Sequence, residues 1–216
     1  MPDSYVYDGT YYGFLTVAVH CFRIHRAPVR ITPEYMLHED AGESSDYVYV
    51  RTSVKDAGHL CDVLTRVATP EAEQTASDFF LTRNARKELI LFRYIYDALR
   101  EGAKIAEEYT REPEKTVAEA VRDLYREAHM TLGGVEFTEC NDVSCAVISP
   151  QNNVMPLIAK PILARKELDD VLVYDRRHRI LLKRRGEISS IDELWRERIP
   201  EINTAEELYG AVWQEV

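Results

Sequence analysis

Arg126, Glu127 and His129 stand close together in VAEAVRDLYREAHM, a helical stretch that Gly133-Gly134 ends. At about 100° per residue, Arg126 and His129 share a helix face, with Arg122 one turn earlier. That face could bind a phosphate or position His129 for proton transfer. A helix-end histidine near the C-terminal dipole, with Arg126 paired to Asp123 or to the surroundings of Glu127 on a solvated face, requires no function. Asp8 in YDGT and Asp175 in VYDRR each follow a tyrosine at the end of an expected strand. Two strand-end carboxylates meeting at one sheet edge could hold a metal or activate water. Aspartates in such places more commonly cap a turn or a helix. No serine or cysteine is placed by motif to make His129 half of a nucleophile pair. The chain also lacks a glycine-rich nucleotide loop, a paired zinc-binding motif and a serine-hydrolase elbow.

A second kind of chemistry is written in the charge. The net charge of −10 argues against salt-driven nucleic-acid binding over the whole surface. From Lys160 to Gly186, however, nine Lys/Arg face four Asp/Glu, a local +5 that leaves −15 on the remainder. Within this strip DVLVYDRRHRILLKRR alternates as a hairpin. It puts Arg176, Arg177, His178 and Arg179 at its tip and Lys183, Arg184 and Arg185 at its foot. A basic hairpin tip can enter a groove or track a phosphate backbone; a solvated hairpin paired to the acidic body is the plainer alternative. Upstream, Ser149 or Asn152 is expected to cap a helix whose free N–H groups could attract an anion. Arg126, Lys160, Arg165, Arg176, Arg177 and Arg179 are the candidate phosphate-binding residues. Cys21 and Cys61 fall on apolar helix faces, and Cys140 and Cys145 flank an Asn-Asp turn. Reduced structural thiols are expected, with no bound metal or cofactor.

The elements that must position these residues follow from periodicity and punctuation. Ser4 to Tyr7 is a short expected strand, and Thr10 can cap the helix whose buried stripe is Tyr11, Phe14, Leu15, Ala18, Val19 and Phe22. DYVYVRT is a second expected strand. Ser53 caps VKDAGHLCDVLTRVA, Pro70 opens EAEQTASDFFLTR, and Arg86 to Tyr109 is the longest helical run. GVEFTEC and VSCAVIS form strands after Gly134. Leu124 and Leu157 sit on the apolar stripes of their helices. Ser190 could cap a helix IDELWRERI, and Thr204 the final helix AEELYGAVW. The expected fold is a single α+β domain over 1–216, with a helical middle at about 53–133. Strand-rich parts lie at 1–52 and 134–186, with C-terminal helices at 187–216. The N- and C-terminal strands would form one mainly antiparallel sheet with the helices packed against it. No apolar run is long enough for a membrane helix. MPDSYVYDGT lacks a signal core, so a cytoplasmic location and no membrane contact are expected.

YVYDGTYYGFLTVAV, LYREAHMTLGGVEF, ISPQNNVMPLIAKPILARK and VLVYDRRHRILL together resemble a bacterial family of DNA-metabolism proteins, a domain of unknown function. Members occur alone or fused to a uracil-DNA-glycosylase-like domain, encoded beside a DNA-repair radical S-adenosylmethionine protein. The resemblance covers most of the chain to about Leu182, the helical middle in layout only. Two positions basic in that family are Met130 and Glu136 here, and the family's longer basic C-terminal block is replaced by IPEINTAEELYGAVWQEV. The resemblance implies an accessory protein of DNA repair or modification, with DNA and a radical S-adenosylmethionine protein as partners. A hydrolase or glycosylase-like enzyme acting on nucleic acid is one alternative, with Asp8, His129 and Asp175 as its catalytic candidates. An acidic protein-interaction module is the other.

Overall fold

The first strand, β1 (Ser4–Tyr7), is followed by a helix, α1 (Tyr11–Arg23), and then by a parallel strand, β2 (Arg30–Pro33). The computed structural model describes residues 3–37, 47–102, 112–165, 167–193 and 201–213. These residues gather into two compact units, Met1–Val121 and Arg122–Val216.

In the first unit a short strand β3 (Val48–Tyr49) joins β1 on the side opposite β2, again in parallel. Tyr5, Val6 and Tyr7 are all buried, as a central parallel strand covered on both faces must be. The helices that follow are α2 (Val54–Val67), α3 (Pro70–Phe80) and α4 (Lys87–Glu101). Each of the first three helices starts on a hydroxyl cap. Thr10 Oγ1 accepts from Gly13 N, Ser53 Oγ from Asp56 N and Thr69 Oγ1 from Ala72 N. Pro70 stands in the first turn of α3, where its missing N–H costs nothing. Phe14, Leu15, Phe79, Leu91 and Ile95 anchor one apolar core.

Helix α5 (Glu114–Gly134) leads into the second unit. There β4 (Thr138–Cys140) and β5 (Val143–Ile148) form a hairpin around Asn141 and Asp142, whose positive φ values of 48° and 65° suit a tight hairpin turn. Helix α6 (Met155–Leu163) crosses to β6 (Asp170–Asp175), which lies parallel to β5. Strands β7 (Ile180–Arg185) and β8 (Ile188–Glu193) then add antiparallel, and α7 (Ala205–Trp213) closes the unit. Thr204 and Glu207 cap α7 reciprocally: Glu207 N donates to Thr204 Oγ1, and Thr204 N to the Glu207 carboxylate.

The mixture of helix and strand agrees with expectation; the sheet does not. In place of one mainly antiparallel sheet there is a three-stranded parallel sheet, β2–β1–β3, and a five-stranded mixed sheet, β4–β5–β6–β7–β8. A helix between two strands of one sheet returns the chain to the same end, so β1–α1–β2 and β5–α6–β6 must be parallel. Three local expectations also change. The strand expected at DYVYVRT is only Val48–Tyr49, with Asp46 outside the described residues. The helix expected at IDELWRERI begins instead as β8, because Gly186 (φ 57°) makes a tight turn that pairs β8 with β7; residues 194–200 are outside the described residues. The long helix ends at Glu101, and residues 103–110 are likewise not described.

In α6 the cap is Val154 and donates no side chain, so neither Ser149 nor Asn152 caps it. The preceding N–H groups are taken from outside the helix. Glu127 accepts from Gln151 N at 2.6 Å, from Asn152 N at 2.8 Å and from Asn152 Nδ2 at 2.7 Å. Leu157, expected in the core, is half-buried; Met155, Ile158 and Ile162 take the inner face. Leu124 is fully buried. The four cysteines are free thiols, and Cys145 is pushed up to about 12 by burial and by the neighbouring Cys140.

Candidate functional site: an arginine-lined cleft

Asp175 closes β6 with no exposed surface, and its carboxylate organises the turn that follows. Oδ1 accepts from the backbone N–H of Arg177 (3.0 Å) and of His178 (3.1 Å). Oδ2 meets His178 Nδ1 at 2.7 Å. A carboxylate bound to the next two or three residues is an Asx-type turn. It holds Arg176, Arg177, His178 and Arg179 between β6 and β7 in one conformation. Arg179 completes the turn with φ 54°.

The arginines leave this turn in different settings. Arg176 N donates to Ile148 O at 3.1 Å, extending the β5–β6 ladder by one residue, while its guanidinium donates to Asn203 Oδ1 at 2.9 Å. Arg179 hydrogen-bonds Tyr174, whose hydroxyl is pushed up by burial and partly held down by that arginine. Arg177 is exposed and has no ion-pair partner among the described residues. With Ser149, Tyr174, Glu201 and Ile202 the three arginines line a cleft of about 490 Å³. It opens where β5 and β6 end, the side on which parallel α/β sheets generally bind ligands. Three guanidinium groups against one carboxylate give it a positive lining. It can take an anion.

The other candidate residues are distributed differently. Arg126 is exposed on α5 and ion-paired with Asp123. His129 is exposed, and its side chain makes no hydrogen bond or ion pair among the described residues; the histidine that meets Asp175 is His178. Lys160 is exposed in the last turn of α6. Arg165 donates to Leu132 O at 2.7 Å, satisfying a carbonyl near the end of α5, and lies over the Phe137 ring at 5.7 Å. At the hairpin foot Arg184 donates to the backbone carbonyls of Leu163, Leu168 and Asp169, Lys183 pairs with Asp192 at 2.6 Å, and Arg185 lies over Trp213 at 5.2 Å. The foot is thus tied to its own unit, and the tip forms the cleft.

Asp8 belongs to the first unit and ends a strand of the other sheet, so it does not share a sheet edge with Asp175. Its Oδ1 accepts from Thr10 N (3.0 Å) and Thr10 Oγ1 (2.7 Å), and its Oδ2 from Thr52 Oγ1 (2.7 Å). Gly13 makes this approach feasible: a Cβ there would stand 2.1 Å from Asp8 Oδ1. Gly13→Ala should therefore destabilise the protein by about 1–3 kcal/mol, although alanine is the better helix former. Urea denaturation checks the sign; a more stable variant would show that Asp8 moves aside freely.

Sequence reasoning missed the Asp175–His178 pair, although the signal was present in an Asp followed three residues later by His across an expected turn. Among the described residues no group of three His, Cys, Asp or Glu is placed to hold a metal ion. No helix among them is long and apolar enough to cross a membrane. A family model described as a domain of unknown function, DUF4130, matches residues 85–215. No curated protein matches the chain.

Proposed function

The chain belongs to the DUF4130 family, and we propose that it is an accessory protein of DNA metabolism that holds nucleic acid by its phosphates in the arginine-lined cleft. The observation that carries this reading is the turn Arg176–Arg179. Three arginines line one cleft, and the backbone beneath them is held by a buried carboxylate. Arg176 and Arg179, held by Asn203 and Tyr174, lose little freedom on binding, and guanidinium groups match phosphate oxygens in pairs. Arg126 and Lys160 add positive charge in the same unit and serve as secondary phosphate contacts, whereas Arg165 is committed to Leu132 O. The acidic remainder of the chain, at −15 outside the basic strip, keeps the footprint small. The resemblance in sequence supports the DNA-metabolism setting and a radical S-adenosylmethionine protein as partner, in the cytoplasm.

Binding titrations of the full chain against single-stranded and duplex DNA at two salt concentrations test the proposal. The wild type should bind modestly and lose affinity as salt rises. Arg176→Ala, Arg177→Ala and Arg179→Ala combined should weaken binding at every sequence and flatten the log–log salt slope by about two to three units. Absence of wild-type binding at low salt would overturn the nucleic-acid reading and leave the protein partner as the occupant of the cleft.

One observation favours an enzymatic alternative. Asp175 Oδ2 engages His178 Nδ1, the arrangement by which a carboxylate orients an imidazole for general base work. On this reading His178, in the turn that carries the arginines though not in the cleft lining, would act on nucleic acid held there. DNA cleaved by the wild type and spared by His178→Gln would establish it, since that change leaves the three arginines in place.

A further inference from the structure

A second lined cavity lies in the first unit, against the edge strand β2 and the start of α4. It measures about 230 Å³, and Arg30, Thr32, Arg86 and Glu88 supply its polar lining. Met36, Leu89 and other apolar side chains supply the rest. Glu88 is 8% exposed, and its Oε1 accepts from Tyr7 Oη at 3.1 Å, which fixes the carboxyl against the central strand. Arg86 is exposed and has no ion-pair partner among the described residues. Arg30 Nε donates to Thr32 Oγ1 at 3.2 Å, so its guanidinium is held along β2.

Two guanidinium groups, one carboxyl and an apolar wall define a small amphiphilic anion site. We propose that this cavity binds a small organic anion, a carboxylate or a phosphate monoester. Arg86 and Arg30 hold its charged end, Met36 and Leu89 cover its hydrocarbon, and the Glu88 carboxyl donates a hydrogen bond to it. The last contact requires Glu88 to be protonated, since an ionised carboxylate would repel the ligand.

The surroundings of Glu88 shift it toward that form. Burial pushes its carboxyl up from the ordinary glutamate range, with Lys87 and the Tyr7 hydroxyl acting in the opposite sense. The other charges near it are Arg30 from β2 and Arg86 from the start of α4. Asp8 and Tyr35 act one step away, through Tyr7. Lys87 is the main opposing charge, its ammonium donating to Phe80 O at 2.9 Å and lying over the Phe80 ring at 4.6 Å. Binding of an anion beside Glu88 therefore takes up or retains a proton. Affinity is highest below the raised value of Glu88 and falls as the pH climbs through it.

The test uses butyrate and sulfate, which stand for the carboxylate and phosphate-monoester ends; sulfate stays ionised throughout the carboxylate range and carries the pH series. Met36 lines the cavity and is one of four methionines, so its methyl resonance in ¹³C-methyl-methionine protein, assigned by Met36→Leu, reports occupancy. Butyrate, sulfate or both should shift it saturably, and the probe that saturates identifies the source. The wild-type affinity should drop by about tenfold per pH unit above the Glu88 transition. Glu88→Gln, a neutral carboxamide of the same shape, should bind with no such dependence. Arg86→Ala should lose at least about tenfold at one pH. The proposal is overturned if neither probe saturates, if Glu88→Gln keeps the wild-type pH profile, or if Arg86→Ala binds as the wild type does. Should Glu88→Gln fail to fold, the surface variant Arg86→Ala decides alone.

Discussion

Replacing Leu124 by Ala is expected to lower the stability of the protein by about 2–5 kcal/mol, the range for a fully buried leucine whose cavity refills only in part. Leu124 lies on α5 with no exposed surface, while its helical neighbours Asp123, Tyr125 and Arg126 face outward. The side chain is thus the inward ridge of an otherwise polar turn, and no neighbour on its own helix can fill its place. The same change at Leu157 removes as many atoms but should cost less, because Leu157 is half-buried and water already covers part of it. Ile158, fully inside on the next position of α6, should behave like Leu124 when shortened to alanine. Denaturant midpoints of the three variants measure the ordering directly. Equal losses at Leu157 and Leu124, or no loss at Leu124, would show that the helix faces are assigned wrongly.

Leu157 also shows how far the amino-acid pattern carries. VMPLIAKPILA is apolar nearly all round, so periodicity alone leaves several faces open, and packing against the sheet selects Ile158 and Ile162. Local signals were read well where one residue determines the outcome. Thr10, Ser53 and Thr204 cap their helices, Asn141-Asp142 turns a hairpin, and Gly133-Gly134 ends α5. Sheet pairing was read badly because strand direction is set by what joins the strands. The helix after β1 is legible, but RITP between Pro28 and the following loop gives no strand signal, so β2 and its parallel pairing with β1 go unexpected. The helix expected after Ser190 failed for a related reason. IDEL has fair helix propensity, and the tertiary pairing of β8 with β7 overrides it. In the site, the basic tip was legible as charge. Arg165 and Arg184 looked equally basic but spend their donors on backbone carbonyls, a use that composition cannot distinguish from phosphate binding. Glu88 and Tyr7, separated by 81 positions, gave no sign of their hydrogen bond.

Asp175→Ala is expected to reduce stability by about 2–3 kcal/mol and to weaken nucleic-acid binding without removing a single arginine. The carboxylate accepts from Arg177 N, His178 N and His178 Nδ1, and it is fully buried at the end of a central strand. Alanine leaves the two backbone N–H groups without their acceptor, and hydrogen bonds to a charged group are among the costlier ones to lose. The turn then samples other conformations, so Arg176, Arg177 and Arg179 must be ordered again at each binding event. Asp175→Asn discriminates between this account and one in which only the negative charge matters. Its amide oxygen can still accept from the two N–H groups, so the turn should hold and DNA affinity should stay close to that of the wild type. If the charge acts instead by orienting His178 for catalysis, asparagine should bind DNA normally yet abolish any cleavage. Salt-dependent binding and denaturation of both variants separate these outcomes. An Asp175→Ala protein with wild-type affinity and salt slope would mean that the arginines do not depend on this carboxylate for their placement.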